Sequence, residues 1–496
     1  MLKMLQKKGR EHWAILLLSL ILLTVLLSVI GTTQLVDWDE CVFAQEAKEM
    51  VQNKDFLTYV WNGVRLFEKP PLTGWIISTS YLVGINEFSA RLPAVIAGIA
   101  LLLAVYAFGC KYFSKRTAFL SSLILLSSQF FVVYTLRINS DIFFTLFTFL
   151  GVFAWLQSSE NQRYSYLSGL LFGIAVMSKG LSIAPYLLAI FVTTFIDFRW
   201  ENIIAYIKMF AAFLLVILPW HLYEYLRYGQ TFIQVYFIEH LIRRARVPLD
   251  FHIEGRLFYV KLTIQNFSLL LLSIFIYPLY YLVNVRKYKS WKSIYKEIVS
   301  QRVLLTLFII SALTFISITN VRTRIWWYVM PIYPYLALVF AQSIIFLIDR
   351  INKQKQILYL AMCVIVLFIA VKTIRGEISP QDPLSKGSQR NELFKQAAKE
   401  KDQEIYYLVW FAERQGRAVL PKEWQTSTTF VFGGNPCAVY YSNKRIHYIY
   451  MVEEFQRLLK TKKGLFAIEN GDKWIIKDTK LSVVASNPDY TLFRIQ

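Results

Sequence analysis

A mainly α-helical, polytopic membrane protein with a C-terminal α/β domain is the fold class this sequence predicts, and three observations predict it. Hydrophobic residues make up 56% of the 496 residues. They gather into about 11 apolar runs of roughly the 17 to 25 residues that a hydrocarbon core demands of a spanning helix. Beyond about residue 374 the runs stop, and short strand-like and helical stretches of ordinary polarity take over.

The apolar runs lie near 13–33, 90–110, 117–136, 142–157, 164–178, 180–197, 202–220, 263–283, 303–319, 326–348 and 356–373, the pair 164–178 and 180–197 being the shortest. The first is too long for a cleaved leader and lacks a small-residue cleavage site, so it reads as a span. Cations set the orientation. With Lys3, Lys7, Lys8 and Arg10 inside, the inner connections become Lys111–Arg116, Ser158–Arg163, Arg199–Lys208, Arg286–Arg302 and Arg350–Lys355. The segment holding Arg286, Lys287, Lys289, Lys292 and Lys296 is then the most basic short connection, as the positive-inside rule requires. Much of the net charge of +21 is therefore topogenic and implies no nucleic acid. Residues 1–374 form the membrane domain, with long outward loops at 34–89 and 221–262, and 375–496 form an outward soluble domain. Gly376, Pro380, Pro383 and Gly387 mark the linker between them.

Within the first outward loop, Glu40 to Val51 reads as a helix lying along the membrane surface, with Phe43, Ala47, Met50 and Val51 on one face. Pro70 and Pro71 force an extended approach to a second helix, Leu72 to Val83. The soluble domain is expected to hold helices at Asn391–Glu400 and Val452–Leu459. Strands are expected at Ile405–Trp410, Thr428–Phe432, Ile446–Ile449, Leu465–Ile468, Trp474–Ile476 and Leu492–Ile495. Cys41 and Cys437 both face outward and are able to pair, although four unpatterned cysteines with no C-x-x-C motif indicate neither a zinc site nor a disulfide framework.

Polar residues gather at the outer ends of the spans. Asp37, Asp39, Glu40, Glu68 and Lys69 lie in the first outward loop, Arg137, Asn139 and Asp141 at the next turn, and Lys179 at the third. Glu239, His240, Arg243 and Arg244 follow, then Arg322 and Arg324. Charge beside a bilayer is costly unless wet, paired or used, which makes this set a functional-site hypothesis. A carboxylate there can take the proton of an incoming hydroxyl. Lysine and arginine can stabilise a departing phosphate. No G-x-x-x-x-G-K loop is present, which disfavours a nucleotide donor.

In order, Asp37-Trp38-Asp39-Glu40, Asn62-Gly63, Phe67-Glu68-Lys69-Pro70-Pro71, Asp141, Met177-Ser178-Lys179-Gly180, Leu218-Pro219-Trp220, Phe237-Ile238-Glu239-His240 and Tyr328-Val329-Met330-Pro331 resemble one family. It is that of the bacterial aminoarabinose transferases of lipid A and their relatives, the dolichyl-phosphate-mannose protein mannosyltransferases. The resemblance covers roughly residues 30–340 and rests on several motifs in order, a stronger signal than any one of them. It implies the C-type glycosyltransferase fold, placement in the bacterial inner membrane and an inverting enzyme that uses a polyprenyl-phosphate sugar at the periplasmic face. The acceptor would be a lipid or glycolipid such as lipid A. It maps catalytic roles to Asp39, Glu40 and Asp141. Substrate and phosphate contacts map to Glu68, Lys69, Lys179, Arg137, Glu239, His240, Arg243, Arg322, Arg324 and Tyr328. Arg322-Thr323-Arg324-Ile325-Trp326-Trp327-Tyr328 departs from the Lys-Leu-Pro-x-Tyr segment frequent in relatives, which puts the donor or acceptor preference in question.

Simpler roles stand beside these. Asp39 and Asp141 also suit helix caps, Glu68 and Lys69 suit a loop-holding pair, and Arg243, Arg244, Arg246 and Arg256 suit anionic headgroups. No cofactor is called for by any motif, but Glu68 and His240 keep a divalent metal open. Two other functions compete: protein O-glycosylation from the same donor class, and a flippase for a polar lipid. A flippase site belongs near the midplane, whereas these charges lie at one boundary.

Overall fold

The computed structural model describes residues 10–36, 38–196, 199–277, 279, 301–351, 354–378, 385–477 and 479–496. Asp37, the cations Lys3, Lys7 and Lys8, the basic segment Arg286 to Lys296 and the linker residues Pro380 and Pro383 lie outside them. The chain divides into two compact units. One holds Met1–Val29, Leu92–Arg227 and Glu254–Ser379; the other holds Ile30–Arg91, Tyr228–Ile253 and Pro380–Gln496.

The first unit is helical because its long apolar runs leave the backbone no other means of satisfying its polar groups in a bilayer. Among the described residues seven helices are long and apolar enough to cross a membrane, or eight if the pair Lys115–Leu126 and Gln129–Leu136, bent by 70°, is one span. The apolar run at 164–178 is the Arg163–Lys179 helix, and that at 180–197 becomes the shorter Ala184–Ile196 helix. The run at 263–283 is broken, since the Phe258–Phe267 helix gives way to a 3-10 segment, Ser268–Phe275.

Small residues let these helices approach. The Ser140–Gln157 and Arg163–Lys179 helices form a hairpin in which the Ser168 hydroxyl donates to the Gly151 carbonyl at 2.8 Å. Gly169 packs so tightly on the Trp200–Tyr228 helix that a Cβ there would collide with the Met209 carbonyl oxygen. Such close backbone approach is the usual source of helix adhesion where lipid removes the hydrophobic drive. Between the Lys115–Leu126 and Tyr333–Ile351 helices, Thr117 donates to Gln342 at 2.9 Å and Arg116 pairs with Asp349 at 3.0 Å.

The second unit joins both long loops to the C-terminal residues. Its mixed five-stranded sheet runs β4-β3-β5-β7-β6, with β3 (Glu404–Leu408) parallel to β4 (Arg445–Ile449) and β5 (Leu465–Glu469). β7 (Tyr490–Ile495) is antiparallel to β5 and to β6 (Leu481–Ser486). Tyr406, Leu408, Phe455, Phe466, Ile468 and Phe493 form its core. Two expected strands are absent. Thr428–Phe432 is a run of turns, and Trp474–Ile476 lies in a 3-10 helix. The first is held by side chains instead of a ladder: the Thr426 N–H donates to the Thr429 hydroxyl, which donates in turn to Asp250 at 2.9 Å.

The Asp39–Asn53 helix forms as expected but is enclosed on almost every face instead of lying open along one side, with Glu40, Cys41 and every residue from Phe43 to Met50 buried. Its neighbours are the Leu72–Ser80 helix, the β1–β2 hairpin (Tyr59–Trp61 and Val64–Leu66) and the Cys437–Ser442 helix. Asn62 and Gly63 turn that hairpin with φ of 55° and 76°, the left-handed values that make Asn-Gly the favoured two-residue hairpin turn. Asn62 also exchanges two hydrogen bonds with the Ile446 backbone, at 2.8 and 2.9 Å.

The tight crossing at Gly169 is testable. Gly169→Val is expected to lower the thermal midpoint of the detergent-solubilised protein by several degrees, whereas Gly387→Ala, where a Cβ meets open space, should leave it unchanged. Equal midpoints for wild type and both variants would show that the crossing is loose.

Candidate active site

In the first unit the structure brings Asp141, Lys179 and Tyr328 together. Asn139, not Asp141, caps the Ser140–Gln157 helix by accepting from the Ile142 N–H at 2.9 Å, which leaves the Asp141 carboxylate to receive the Lys179 ammonium. Both groups are buried, and the ammonium also sits 4.8 Å from the centre of the Tyr328 ring and 5.7 Å from that of Phe144. Lys179 ends its helix, where a cation is favoured by the helix dipole, and Gly180 turns the chain with φ of 79°. The other cations of this unit are placed differently. Arg324 is buried and donates to the backbone carbonyls of Glu254 and Thr319. Arg322 is exposed. Arg137 is half-buried at the end of the Gln129–Leu136 helix, its carbonyl accepting from Asn139 at 2.9 Å.

In the second unit the acids separate by role. Trp38 occupies the N-cap position with no side-chain cap bond, so Asp39 and Glu40 open the helix without capping it. Glu40 is committed to structure. Its two oxygens accept from Arg91 at 2.8 and 2.7 Å, and one also accepts from the Val36 N–H at 2.8 Å. Glu239 accepts from the Ser427 N–H at 2.9 Å, and Arg243 donates to the Glu423 and Gln425 carbonyls at 2.7 and 3.0 Å. The two thus fasten the π-helix Ile233–Arg243 to the 423–427 loop.

Glu68, Lys69 and His240 remain as the chemically unspent set. Glu68 accepts from the Thr428 hydroxyl, and its carboxylate lies 3.5 Å from His240 Nε2. Burial would raise its pKa, but His240 when protonated, the Thr428 hydroxyl, Lys69 and Arg244 bring it below the usual value. For His240, burial and the adjacent Arg244 guanidinium push the imidazole down to about 4, against the pull of Glu68. The ring is therefore neutral at pH 7. Lys69 holds its ammonium 4.4 Å from the centre of the Phe43 ring.

Two features escaped the sequence reading, and it left a third open. Arg91, hidden in an apolar run, carries no motif. Glu46 lies inside the Asp39–Asn53 helix, only 5% exposed, with Oε2 lacking any hydrogen-bond partner. Burial raises its carboxyl well above the usual range; Lys69 opposes this while Glu68, Glu49 and Asp39 add to it. The third is a disulfide between Cys41 and Cys437, with Cα atoms 4.9 Å apart. Spacing of the cysteines held no signal for it, since 396 residues separate them.

A divalent ion fits this set in part. His240 presents a neutral imidazole whose Nε2 lacks a hydrogen-bond partner, beside an ionised Glu68, but no group of three or more His, Cys, Asp or Glu suited to a metal exists among the described residues. The pair offers two ligands, and water or substrate oxygen would have to complete the shell.

Fold and composition define the class: a polytopic membrane protein whose architecture is shared by a solved structure. The structure titled ArnT from Cupriavidus metallidurans bound to undecaprenyl phosphate superposes with a TM-score of 0.74 at 16% identity, covering 98% of each chain. The family model described as dolichyl-phosphate-mannose-protein mannosyltransferase matches residues 68–223. An undecaprenyl phosphate-alpha-4-amino-4-deoxy-L-arabinose arabinosyl transferase of Pseudomonas savastanoi pv. phaseolicola is 27% identical over 329 residues, 64% of this chain and 58% of its own. An uncharacterised protein of Aquifex aeolicus is 28% identical over 326 residues, 64% of this chain and 59% of its own. These alignments thus span under three fifths of either relative. The resemblance to the aminoarabinose transferase and protein O-mannosyltransferase superfamily stands on family model, sequence and fold together.

The two shifted groups act on stability with opposite signs. His240, depressed from 6.5 to about 4, favours the folded state above pH 6.5, and that contribution is lost as the pH falls from there toward 4. Glu46, raised from 4.5, holds a proton that the unfolded chain releases, so its contribution is full below 4.5 and is lost as the pH rises. Thermal midpoints measured against pH are expected to show a shallower acid limb for His240→Gln and a smaller loss on the alkaline side for Glu46→Gln. Curves that parallel the wild type would contradict both assignments.

Proposed function

We propose that the protein transfers a sugar, with inversion, from a polyprenyl-phosphate donor to a hydroxyl or phosphate of lipid A or another glycolipid at the periplasmic face of the bacterial inner membrane. The observation that carries this reading is the cluster of Glu68, His240 and Arg244, in which the Glu68 carboxylate lies 3.5 Å from His240 Nε2 and Arg244 lies 3.2 Å from His240 Nδ1, in a chain similar to enzymes whose names specify undecaprenyl-phosphate-linked aminoarabinose. The Cys41–Cys437 disulfide supports the periplasmic assignment, because such bonds persist in oxidising compartments.

In this mechanism the acceptor oxygen attacks the anomeric carbon and the bond from that carbon to the phosphate oxygen breaks. The electron pair of the broken bond leaves with the polyprenyl phosphate. Asp39 takes the proton of an acceptor hydroxyl, the general-base role; an acceptor phosphate needs no base. Lys69 receives charge developing on the departing phosphate, and Glu68, held ionised by Thr428, Lys69 and Arg244, orients the cation. A divalent ion held by Glu68 and His240 would supply further stabilisation of that phosphate. The Asp141–Lys179 pair, with Tyr328 against the ammonium, is a second cation held in place by a carboxylate. Glu239, Arg243 and Arg324 serve by anchoring neighbouring loops through backbone groups, and Arg137 and Arg322 are further cations for the donor phosphate.

A second reading has its own support. The matching family model is described by transfer to protein, so Ser or Thr hydroxyls are the alternative acceptors. Mass analysis of glycolipids and of secreted proteins, with and without the gene, separates the two readings by which class loses a sugar.

Asp39→Asn is expected to abolish release of undecaprenyl phosphate from a sugar-charged donor while the purified protein keeps its thermal midpoint within a degree or two, since substitution of a half-exposed residue by its isostere costs little stability. Turnover at the wild-type rate would remove Asp39 from the base role.

A further inference from the structure

One backbone outlier sits beside the proposed base. Trp38, the residue before Asp39, has φ of 69° and ψ of −114°, a positive-φ conformation that a bulky side chain adopts only under strain. Such strain persists where the surroundings over-determine it, and it collects at functional sites. Those surroundings are visible on both sides of the turn, all within the second unit.

On one side the indole, 39% exposed, meets the Phe432 ring edge to face at 6.0 Å and lies under the Arg417 guanidinium at 5.7 Å. Neither partner is loose. Phe432 also packs at 4.8 Å on the fully buried Trp61, and Arg417 is held by Glu413 at 2.6 Å. Gly433, at φ of 60°, presses so closely on the Tyr448 ring that a Cβ would overlap it. On the other side, the Leu35 N–H donates to the Tyr441 hydroxyl at 2.8 Å and its carbonyl accepts from Asn391 at 3.3 Å. Cys41, two residues past Asp39, is bonded to Cys437. Asn391, Arg417, Phe432, Cys437 and Tyr441 all come from the C-terminal segment, and none carries a recognisable catalytic motif.

We propose that Trp38 is a positioning residue for Asp39, and that the C-terminal α/β segment acts as the clamp that holds Trp38 in its strained conformation through Phe432, Arg417 and the Cys41–Cys437 bond. The helix begins with the Trp38 carbonyl, which accepts from the Val42 N–H at 2.9 Å. Rotation of the Trp38 backbone toward an ordinary conformation swings this carbonyl away from the Val42 N–H and so frees the first helical turn, which carries Asp39. This assignment rests on the reading of Asp39 as the general base, but the clamp itself has an independent readout.

The experiment uses the full-length protein in detergent, comparing wild type with Trp38→Ala, Trp38→Phe, Phe432→Ala and the double variant Cys41→Ser/Cys437→Ser. Amide hydrogen exchange over residues 30–42 is expected to rise in Trp38→Ala, Phe432→Ala and the double variant, and to stay near wild type in Trp38→Phe. In sugar transfer, kcat should fall on the order of tenfold to a hundredfold for Trp38→Ala and Phe432→Ala, the scale of an ångström-sized misplacement. Binding of undecaprenyl phosphate should stay within about twofold of wild type, as expected for loss of alignment without loss of uniform binding. Trp38→Phe should recover most of the rate. Unchanged exchange in Phe432→Ala overturns the clamp whatever the activity. Raised exchange with unchanged kcat overturns the positioning role, as does an equal loss of binding and kcat. If the wild type transfers no sugar from any donor while exchange rises as expected, the functional reading fails and the clamp stands.

Discussion

The Arg91 guanidinium is the point on which the first outward segment turns. It donates to the carbonyls of Ile30, Thr33 and Gln34 at 2.8 to 2.9 Å and to both oxygens of Glu40, and both side chains are only 4% exposed. A guanidinium matched to a carboxylate through two parallel bonds is among the stronger polar contacts a protein makes. Removing either partner would strand a buried charge at a cost of about 3 to 5 kcal/mol. By collecting three carbonyls from a segment with no regular structure, Arg91 folds residues 30–36 back upon the helix that Glu40 begins. Asp39 is the residue carried out of that knot.

The same logic divides the other charges. A carboxylate enclosed by protein must be paired, neutralised or used, and this chain does all three. Glu40 and Glu239 are paired into the scaffold, and Glu49 accepts from the Asn62 N–H and from Gln45 at 2.6 and 2.9 Å. Glu46 is neutralised by burial. Glu68 is ionised, accepting from the Thr428 hydroxyl and lying 3.5 Å from His240, and it and Asp39 are the acids to which the proposed chemistry is assigned. Arginines sort likewise: Arg91, Arg243 and Arg324 spend their donors on backbone carbonyls, a role that fixes loops without fixing a ligand.

Much of the architecture was legible because its signals are local. Long apolar runs announce helices wherever they occur, and most of the expected spans, the Asp39 helix and strands β3, β4, β5 and β7 lie within a few residues of where patterning places them. The failures share a cause. Thr428–Phe432 has the composition of a strand, but the Thr429 hydroxyl and Asp250 supply the hydrogen bonds that a ladder would have supplied. Strand β6 was missed because its partner β7 lends it order that its own alternating residues do not declare. The amphipathic stripe on the Asp39 helix suggested a membrane surface, whereas protein covers the helix on nearly all sides.

The order of motifs and the run of apolar segments determined, from the sequence alone, that this is a polytopic membrane protein resembling polyprenyl-phosphate-dependent glycosyltransferases, and named Asp39, Glu68, Lys69, Asp141, Lys179 and His240 as candidates. Only tertiary structure decided which charges meet. It set Asp141 against Lys179 and Glu68 against His240, assigned Glu40 to Arg91, and brought Cys41 to Cys437 across 396 residues. The reason is physical: apolar patterning is a property of neighbours along the chain, whereas pairing, desolvation and strain depend on which distant groups are enclosed together, and no single stretch of sequence contains that information.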